Sequence, residues 1–551
     1  MKKVLMTVLG VFVALGAAAQ YDAALKAAMF LNGASSEEEL EASEVERLQI
    51  IGKVRVNAPG RNAKAILSEY QLAALVDYRR QSGDILSWEE LALVDGFGKE
   101  AVEALKPYLS LWSADLPGAV DTLPRFKADL LVRATEKNIG TKLKAEGNWW
   151  QVSGAARSRA WGSKDYDWTA SAEVGNGRWS VLTGDFNVRY GQGLGIWSGF
   201  SMNSLSTVDA FIKRPTGVRP VCSFTPSEHR GAAAQYHLGR YSFAAFADLR
   251  GKAGVHAGYV SLRTQIGLTA MPDKLSADFA INYKGIDLVG EVATSFAGLT
   301  GEPMLAGVLA TKFKTGDIKF SLQTRAIPSR FSGKKNGEYG LAVGALWKSP
   351  RWQQLKGKEG FGSSVSKHAL SLTADASLLP VPQKDPGRKQ LRIYGLWQWQ
   401  MSGTMALETK FTGRYRTWEA SRSDLRLDLK YTHGPWFGTT RIEGDYCAGA
   451  GVLSYLEFGH KGPDCWAAYF RIGAFGTSGW SSRIYCYERD APGTFTVPAY
   501  SGRGLTASLY GTCKCRIGPH LHAKLCLRGA YVLKKGIKPS PSLHLQIQLD
   551  A

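Results

Sequence analysis

The sequence predicts a mainly β protein, a transmembrane antiparallel β-barrel of about 16 to 20 strands preceded by a small all-α domain. Three observations predict this architecture. The N-terminus has the pattern of an export signal, a segment rich in alanine, leucine and glutamate follows, and apolar residues then alternate with polar ones up to the last residue. The domains expected from these changes are a signal peptide (1–19), a helical domain (20–115), a linker (116–126) and the barrel (127–551).

The N-terminus has the residue order of a secretory signal peptide. Two lysines precede an apolar run from Val4 to Leu15, and Ala17–Ala19 follow, so cleavage is expected before Gln20. The run is too short to remain as a membrane anchor, and no later apolar stretch reaches about eighteen residues. Any membrane span must therefore be built from strands. Export combined with strands predicts the outer membrane of a Gram-negative bacterium, with the helical domain in the periplasm.

The two parts of the chain differ in charge. The formal net charge is +20, but residues 21–115 contain 16 Asp and Glu against 10 Lys and Arg, so the residues from 116 onward carry +24. A basic barrel fits an anionic lipid leaflet, a lumen for anionic solutes or a path for a polyanion, and net charge does not choose among them. The 7 cysteines are an odd number and imply no disulfide framework.

The segment before residue 115 predicts short helices joined by tight turns. Three serines are each followed three residues later by Glu or Gln, the pattern of a capping box that begins a helix. These pairs are Ser36 with Glu39, Ser68 with Gln71, and Ser87 with Glu90.

A part of this segment resembles a known DNA-binding domain. The stretches Val56–Ala58, Leu75–Gly83, Glu89–Leu91, Val94–Gly98 and Leu105–Leu109 resemble the helix-hairpin-helix domain of the competence-protein ComEA type. In that family two hairpins of the form hydrophobic-Gly-hydrophobic-Gly link helix pairs, and their backbone N–H groups bind DNA phosphate. The resemblance implies a DNA site at a group of six residues: Gly96, Phe97, Gly98, Lys99, Arg79 and Arg80.

The residues themselves leave the role of this hairpin open. Gly96 and Gly98 permit positive φ, and the following helix start and Lys99 would favour an anion. The first hairpin departs from the family because Ala65–Glu69 has no glycine and ends in a carboxylate. An acidic domain binds DNA weakly unless its cations cluster. The alternative is a plain helix connection that packs Phe97 into the core, or a protein-binding variant of it.

Alternation in the barrel region is clearest in three segments. In each, apolar side chains recur at alternate positions and charged or polar ones lie between them, which gives a strand with one mainly apolar and one polar face. The apolar positions are Ile318, Phe320 and Leu322; Met405, Leu407, Phe411 and Tyr415; and Leu425, Leu427, Leu429 and Tyr431. A large soluble β protein is the alternative, in which the apolar face would pack on a second sheet.

The start of the barrel region also resembles a group of large outer-membrane barrels that carry a helix-hairpin-helix module. The matching stretches are Gly184–Phe186, Tyr190–Leu194, Trp197–Phe200, Gly217–Pro220, Glu228–Ala233 and Leu238–Arg240. The resemblance implies architecture, not activity. No Lys-Ser/Thr pair or helical pattern follows the glycines of 190–195, so they favour close backbone packing over a nucleotide loop. We expect a luminal ion-pair cluster that holds an inward loop, formed by Asp185, Arg189, Gln192, Arg214, Arg219 and Arg230.

No motif supports catalysis, and no cofactor or metal is expected. The sequence lacks G-x-S-x-G, H-E-x-x-H and C-x-x-C patterns. Two functional hypotheses follow. In the first, the barrel binds or passes DNA or another polyanion, which the helical module receives. In the second, the module is a protein-docking or plug domain and the barrel is a scaffold or pore. The expected partners are outer-membrane lipid, DNA under the first hypothesis, and a periplasmic or envelope protein complex under the second.

Overall fold

The fold was analysed in a computed structural model of the chain. It describes residues 17–34, 40, 44–45, 47–48, 51–115, 126–199, 205–296, 303–332, 337–349, 367–381, 385–462, 466–494, 496–518 and 521–550. Residues 1–16 of the predicted signal peptide, the pair Ser36 and Glu39, most of the predicted linker and Phe200 lie outside the described residues.

The helical part is an all-α module with one short ladder. Its helices are α1 (Ala17–Asn32), α2 (Glu69–Ser82), α3 (Trp88–Leu91) and α4 (Gly98–Leu105), with 3₁₀ turns at Arg61–Ala65 and Lys106–Tyr108. The strands β1 (Val54–Arg55) and β2 (Leu109–Ser110) pair in parallel and join its two ends. Ser68 and Gln71 form the predicted capping box of α2, and Ser87 caps α3. No helix in the described part of the chain is long and apolar enough to cross a membrane.

The remaining strands run from Phe126 to Asp550. Their bounds are β3 (Phe126–Ala134), β4 (Ile139–Gly147), β5 (Trp150–Ser158), β6 (Tyr166–Gly175), β7 (Trp179–Arg189), β8 (Gly217–Pro220), β9 (His229–Leu238), β10 (Tyr241–Asp248), β11 (Ala253–Val260), β12 (Thr264–Met271), β13 (Lys274–Tyr283), β14 (Ile286–Phe296), β15 (Pro303–Thr315), β16 (Ile318–Ile327), β17 (Glu338–Lys348), β18 (Lys367–Val381), β19 (Asp385–Gln400), β20 (Met405–Arg416), β21 (Arg422–His433), β22 (Trp436–Tyr446), β23 (Ala450–Lys461), β24 (Trp466–Thr477), β25 (Ile484–Tyr485), β26 (Ala499–Tyr500), β27 (Arg503–Arg516), β28 (His522–Lys534) and β29 (Ile537–Asp550).

These strands form one closed antiparallel barrel. Each wall strand pairs with the next wall strand along the chain, β7 with β9 and β24 with β27 included, and β29 pairs back onto β3, so the sheet has no free edge. The fold class is confirmed, and a sandwich of two layers is excluded. The wall has 24 strands. The short strand β8, which pairs with the end of β7, and the ladder β25–β26 are not counted among them. The expected 16 to 20 was too low because strands of eight residues, such as β10 to β12, are separated by only three or four residues and merge in an alternation pattern.

Alternate side chains face outward and into the lumen, as the sequence predicted. In β21, Leu425 is 49% exposed on the outer face, whereas Arg426 and Asp428 are 7% and 1% exposed inside. Large apolar side chains are exposed along most wall strands, and polar side chains line the inner face. Such a surface matches the apolar band of a barrel in lipid.

The two rims of the barrel differ. We call the rim where β3 begins and β29 ends the proximal rim; most of its turns have two to five residues. At the opposite, distal rim two long segments leave the wall, residues 190–228 and 478–502, which we call insert 1 and insert 2. Exposed aromatic side chains follow both rims. At the proximal rim they include Trp149, Trp179, Tyr241, Trp436 and Trp466, and at the distal rim Trp161, Tyr166, Tyr446 and Trp480.

Candidate functional site: a helical module docked in the barrel mouth

The helical module contacts inward-facing side chains at the proximal ends of the wall strands. Arg61 is its anchor on β4 to β6. Its Nη1 lies 2.7 Å from Oε2 of Glu173 and donates to Oε1 of Gln151 at 2.9 Å, and Nη2 lies 3.8 Å from Oε2 of Glu146. All of these side chains are deeply or partly buried. Arg61 stands at the start of a 3₁₀ turn, so the fold of the module aims it at the wall.

The first turn of α2 and the residues before it contact the next strands. The Lys64 ammonium lies 2.6 Å from Nε2 of His237 on β9. On β10, Ser242 donates to Oε2 of Glu69 at 3.3 Å. The Tyr70 hydroxyl donates to the carbonyl of Leu262 in the β11–β12 turn at 2.6 Å. Burial raises the pKa of Glu69 and lowers the pKa of Lys64, because both charges have left bulk water on docking.

The predicted hairpin has the backbone that its glycines allow. Gly96 and Gly98 have φ of 80° and 64°, and Phe97 packs in the core of the module at 5% exposure. The carbonyl of Gly96 accepts from Nε2 of Gln71 at 2.8 Å, and Lys99 lines a cavity inside the barrel. The hairpin therefore points into the barrel interior, not away from it.

The two arginines predicted to join this hairpin lie elsewhere. The hairpin packs at the start of α2, beside Gln71, whereas Arg79 and Arg80 are in its last turn, about 12 Å farther along the axis. Arg79 pairs with Asp84 at 2.7 Å. The structure does not bring the six predicted DNA-site residues into one patch.

Three wall lysines lie between the module and insert 1, and one of them, Lys319, contacts both. Glu100, in the first turn of α4, lies 3.0 Å from Nζ of Lys348 and 3.5 Å from Nζ of Lys319. Asp209, in the 3₁₀ turn Val208–Phe211, lies 3.3 Å from both Lys319 and Lys312. Burial alone would raise the pKa of each carboxyl, but the lysines outweigh it and hold both pKa values below their usual range. Both carboxylates are therefore charged and paired at neutral pH.

Insert 1 is fastened to the wall by a carboxylate inside a glycine loop. Glu291 on β14 is 1% exposed and accepts N–H bonds from Gln192 at 2.6 Å, Leu194 at 3.0 Å and Gly195 at 2.7 Å. At Gly191, with φ of 59°, a Cβ would lie 2.6 Å from the Glu291 carboxyl carbon. The loop binds an internal carboxylate with backbone donors, in the manner of an anion nest.

The predicted luminal cluster separates into three parts. Asp185 and Arg230 pair at 3.0 Å on the wall, and Gln192 belongs to the loop around Glu291. Arg189, Arg214 and Arg219 instead reach the module, and their contacts are described below. These six residues take part in ion pairs and hydrogen bonds around insert 1, at three separate places.

Insert 2 contacts a set of paired charges on the inner face of the wall. Arg471 lies 2.6 Å from Glu457, and Arg441 lies 2.6 Å from Asp428. In the insert itself, Asp490 pairs with His544 at 2.6 Å. The six cysteines in the described part of the chain form no disulfide, and the described residues contain no group of three metal-ligating side chains.

A cavity of about 1070 Å³ remains between the module, insert 1 and the wall. Its lining combines basic side chains with apolar ones such as Phe30, Trp197 and Ile212. Sequence reasoning missed Arg61, Glu173 and Glu291 as functional residues. Two signals were present in the sequence: Glu173 and Glu291 occupy inward-facing positions on their strands, and Arg61 is a basic residue in an acidic domain. Neither signal identifies a partner more than 90 residues away.

Comparison with known proteins finds similarity to solved structures alone. No protein-family model matches the chain, and no curated protein matches it. The outer membrane protein OpdK from Pseudomonas aeruginosa is similar at 8% identity, with 77% of this chain and 98% of that chain covered and a TM-score of 0.31. The translocation pore of the P pilus usher PapC is similar at 9% identity, 77% and 98% coverage and a TM-score of 0.38. OccAB3 from Acinetobacter baumannii is similar at 8% identity, 77% and 98% coverage and a TM-score of 0.30. Here the barrel is established by the strand pairing of this chain itself.

Proposed function

We propose that the protein is an outer-membrane channel closed by its own N-terminal helical module. The observation that carries this proposal is the contact of the module with inward-facing residues of successive strands, of which the buried pair Arg61–Glu173 is the strongest. The exposed apolar band and the aromatic side chains at both rims support a position in lipid. Charge supports docking too, since an acidic module meets a basic barrel.

The proximal rim is proposed to face the periplasm. Bacterial barrels have short periplasmic turns, and an even number of strands brings both ends of the wall to that side. The proximal rim has the shorter turns and holds both ends of the wall. The module would then close the channel from the periplasmic mouth, while the inserts narrow it from outside.

Passage of DNA or another polyanion stays a second hypothesis. The cavity beside the hairpin is lined by several lysines and arginines, which favours an anionic solute. However, Gly96, Gly98 and Lys99 line that cavity while the module is docked, so duplex DNA could reach the hairpin only after the module leaves the mouth. The plug hypothesis therefore requires fewer conformational steps than the DNA hypothesis. No catalytic activity is proposed.

Conductance in planar bilayers tests the plug. The full chain should give rare, brief openings, whereas a chain without residues 20–115 should give steady conductance. A cross-link supplies the converse test: Ser242 on the wall donates to Glu69 of the module at 3.3 Å, so cysteines at these two positions, with the native cysteines replaced and joined by a short bis-methanethiosulfonate reagent, should lock the closed state until reduced. Equal conductance in the full and shortened chains would refute the plug.

A further inference from the structure

Three arginines hold one end of a 3₁₀ turn of the module. The turn Arg61–Ala65 ends with carbonyls that have no partner inside the turn. Arg219 of insert 1 donates to the carbonyl of Lys64, Arg47 to that of Ala65 at 2.9 Å, and Arg214 to that of Ile66 at 2.7 Å. The backbone of the module and two side chains of insert 1 thus meet at one point in the lumen.

Within the described part of the chain, positive charge exceeds negative charge at this point. Among the described residues, one carboxylate forms ion pairs with these arginines and nearby Arg189. It is Glu44, which lies 2.8 Å from Arg47 and 3.6 Å from Arg189. Burial would raise the pKa of Glu44, but Arg47, Arg189 and Arg219 lower it to about 2. Burial and the charge of Arg47 lower the pKa of Arg214 to about 10. A buried excess of cations is costly unless an anion compensates it.

One guanidinium donor at this site is left unused by the described residues. Arg219 donates through Nη2, and within the described part of the chain its buried Nε has no hydrogen-bond partner. A guanidinium has five N–H donors in a fork that fits a carboxylate or phosphate. The site opens onto the 1070 Å³ cavity, where Trp197, Leu205 and Ile212 supply apolar surface. The Arg189 guanidinium lies 5.5 Å from the centre of the Trp197 ring.

We propose that this cavity binds a small organic anion, with its carboxylate or phosphate group among Arg47, Arg189, Arg214 and Arg219 and its apolar part against Trp197. The inference rests on the proposed function and names the solute class that the closed channel holds. Because Arg47 comes from the module and Arg214 and Arg219 from insert 1, the complete site exists only while the module is docked. Binding therefore stabilises the docked state, and saturating anion reduces channel opening.

Calorimetric titration of the full chain in detergent micelles tests the site. The probes are benzoate and phenyl phosphate, with benzyl alcohol and benzylammonium as neutral and cationic controls and inorganic phosphate to test the need for the apolar part. Benzoate or phenyl phosphate should bind, and the controls should not. The variant Arg214→Gln/Arg219→Gln should weaken binding by about tenfold or more, since each charged hydrogen bond contributes roughly that factor. Arg250→Gln, at an exposed distal turn, should bind as the parent does.

Three results would overturn the anion site: equal binding of the neutral control, unchanged affinity in the double arginine variant, or binding that is the same after residues 20–115 are removed. Because Arg214 and Arg219 also hold the module, Arg214→Lys/Arg219→Lys is measured beside the glutamine variant. It keeps the charge and should recover part of the affinity. The plug is tested separately, by conductance measured without any anion. An open channel formed by the full chain refutes the plug. A closed channel that binds no anion refutes the anion site and leaves the plug standing.

Discussion

Replacement of Arg61 by methionine is the most direct perturbation of the docked module. Methionine keeps much of the apolar length of the side chain and removes the charge. The side chains of Arg61 and Glu173 are 6% and 9% exposed and lie 2.7 Å apart, so the substitution leaves a buried carboxylate without its cation. Gln151 loses a hydrogen bond from the same guanidinium.

The size of the effect follows from this geometry. Removing one partner of a buried ion pair costs about 3–5 kcal/mol, mostly through the uncompensated charge. If the substitution destabilises the docked state by about 3 kcal/mol and leaves the undocked state unchanged, the undocked fraction rises by roughly 100-fold, since about 1.4 kcal/mol corresponds to a factor of ten. Glu146, at 3.8 Å from Arg61, adds a smaller loss of the same sign.

The assay is the frequency of opening events in planar bilayers. Arg61→Met should open about 100-fold more often than the parent, by the buried-pair estimate. The matched control is Arg79→Met, because Arg79 pairs with Asp84 inside the module and should leave opening unchanged. Adding Glu173→Gln to Arg61→Met should restore part of the closure, which a double-mutant cycle measures as coupling. Equal opening of Arg61→Met and Arg79→Met refutes the docking argument.

Three further outcomes are expected. Because Lys319 and Lys348 lower the pKa of Glu100 in the docked state, its contribution to docking is complete above its usual pKa and is lost as pH falls through the lowered value, so opening should increase below about pH 4; recordings that stay flat to pH 3 contradict this. Gly191→Ala should lower the melting temperature more than Gly239→Ala: both positions have φ near 60°, but the added Cβ meets Glu291 at the first and nothing within 4 Å at the second. Duplex DNA should bind the docked full chain no better than its Lys99→Glu variant in salt-dependent titrations, because the hairpin faces the cavity; a large loss in the variant favours the DNA hypothesis.

The sequence was sufficient to predict the wall and its two faces. Alternation places Leu425 outside and Asp428 inside because strand geometry has a period of two and the two solvents differ. The capping box at Ser68 was predictable because it is also local: its hydrogen bonds join residues only three positions apart in the chain. Patterns set by neighbours in the chain are visible in one sequence.

The docking contacts could not be predicted in this way. Arg61 and Glu173 are 112 residues apart, and Gln192 and Glu291 are 99 apart; nothing local in either segment specifies the partner. The glycine loop at 190–195 shows the limit well. Its composition correctly indicated close backbone packing, but the group against which it packs is a carboxylate on a strand that the loop reaches only after folding into the lumen.

The chemistry of the docked interface argues for reversible closure. The apolar core of the module joins residues such as Val54, Leu75, Leu91 and Leu105, all of its own chain segment, whereas the contacts with the wall described here are ion pairs and hydrogen bonds. Undocking would therefore expose little of the apolar core and leave the module folded, while charges such as Glu100 regain water. Polar interfaces of this kind are typical of parts that separate, and apolar ones of parts that stay together. A plug attached by charges responds to ionic strength, pH and anions, which are conditions that an outer membrane meets directly.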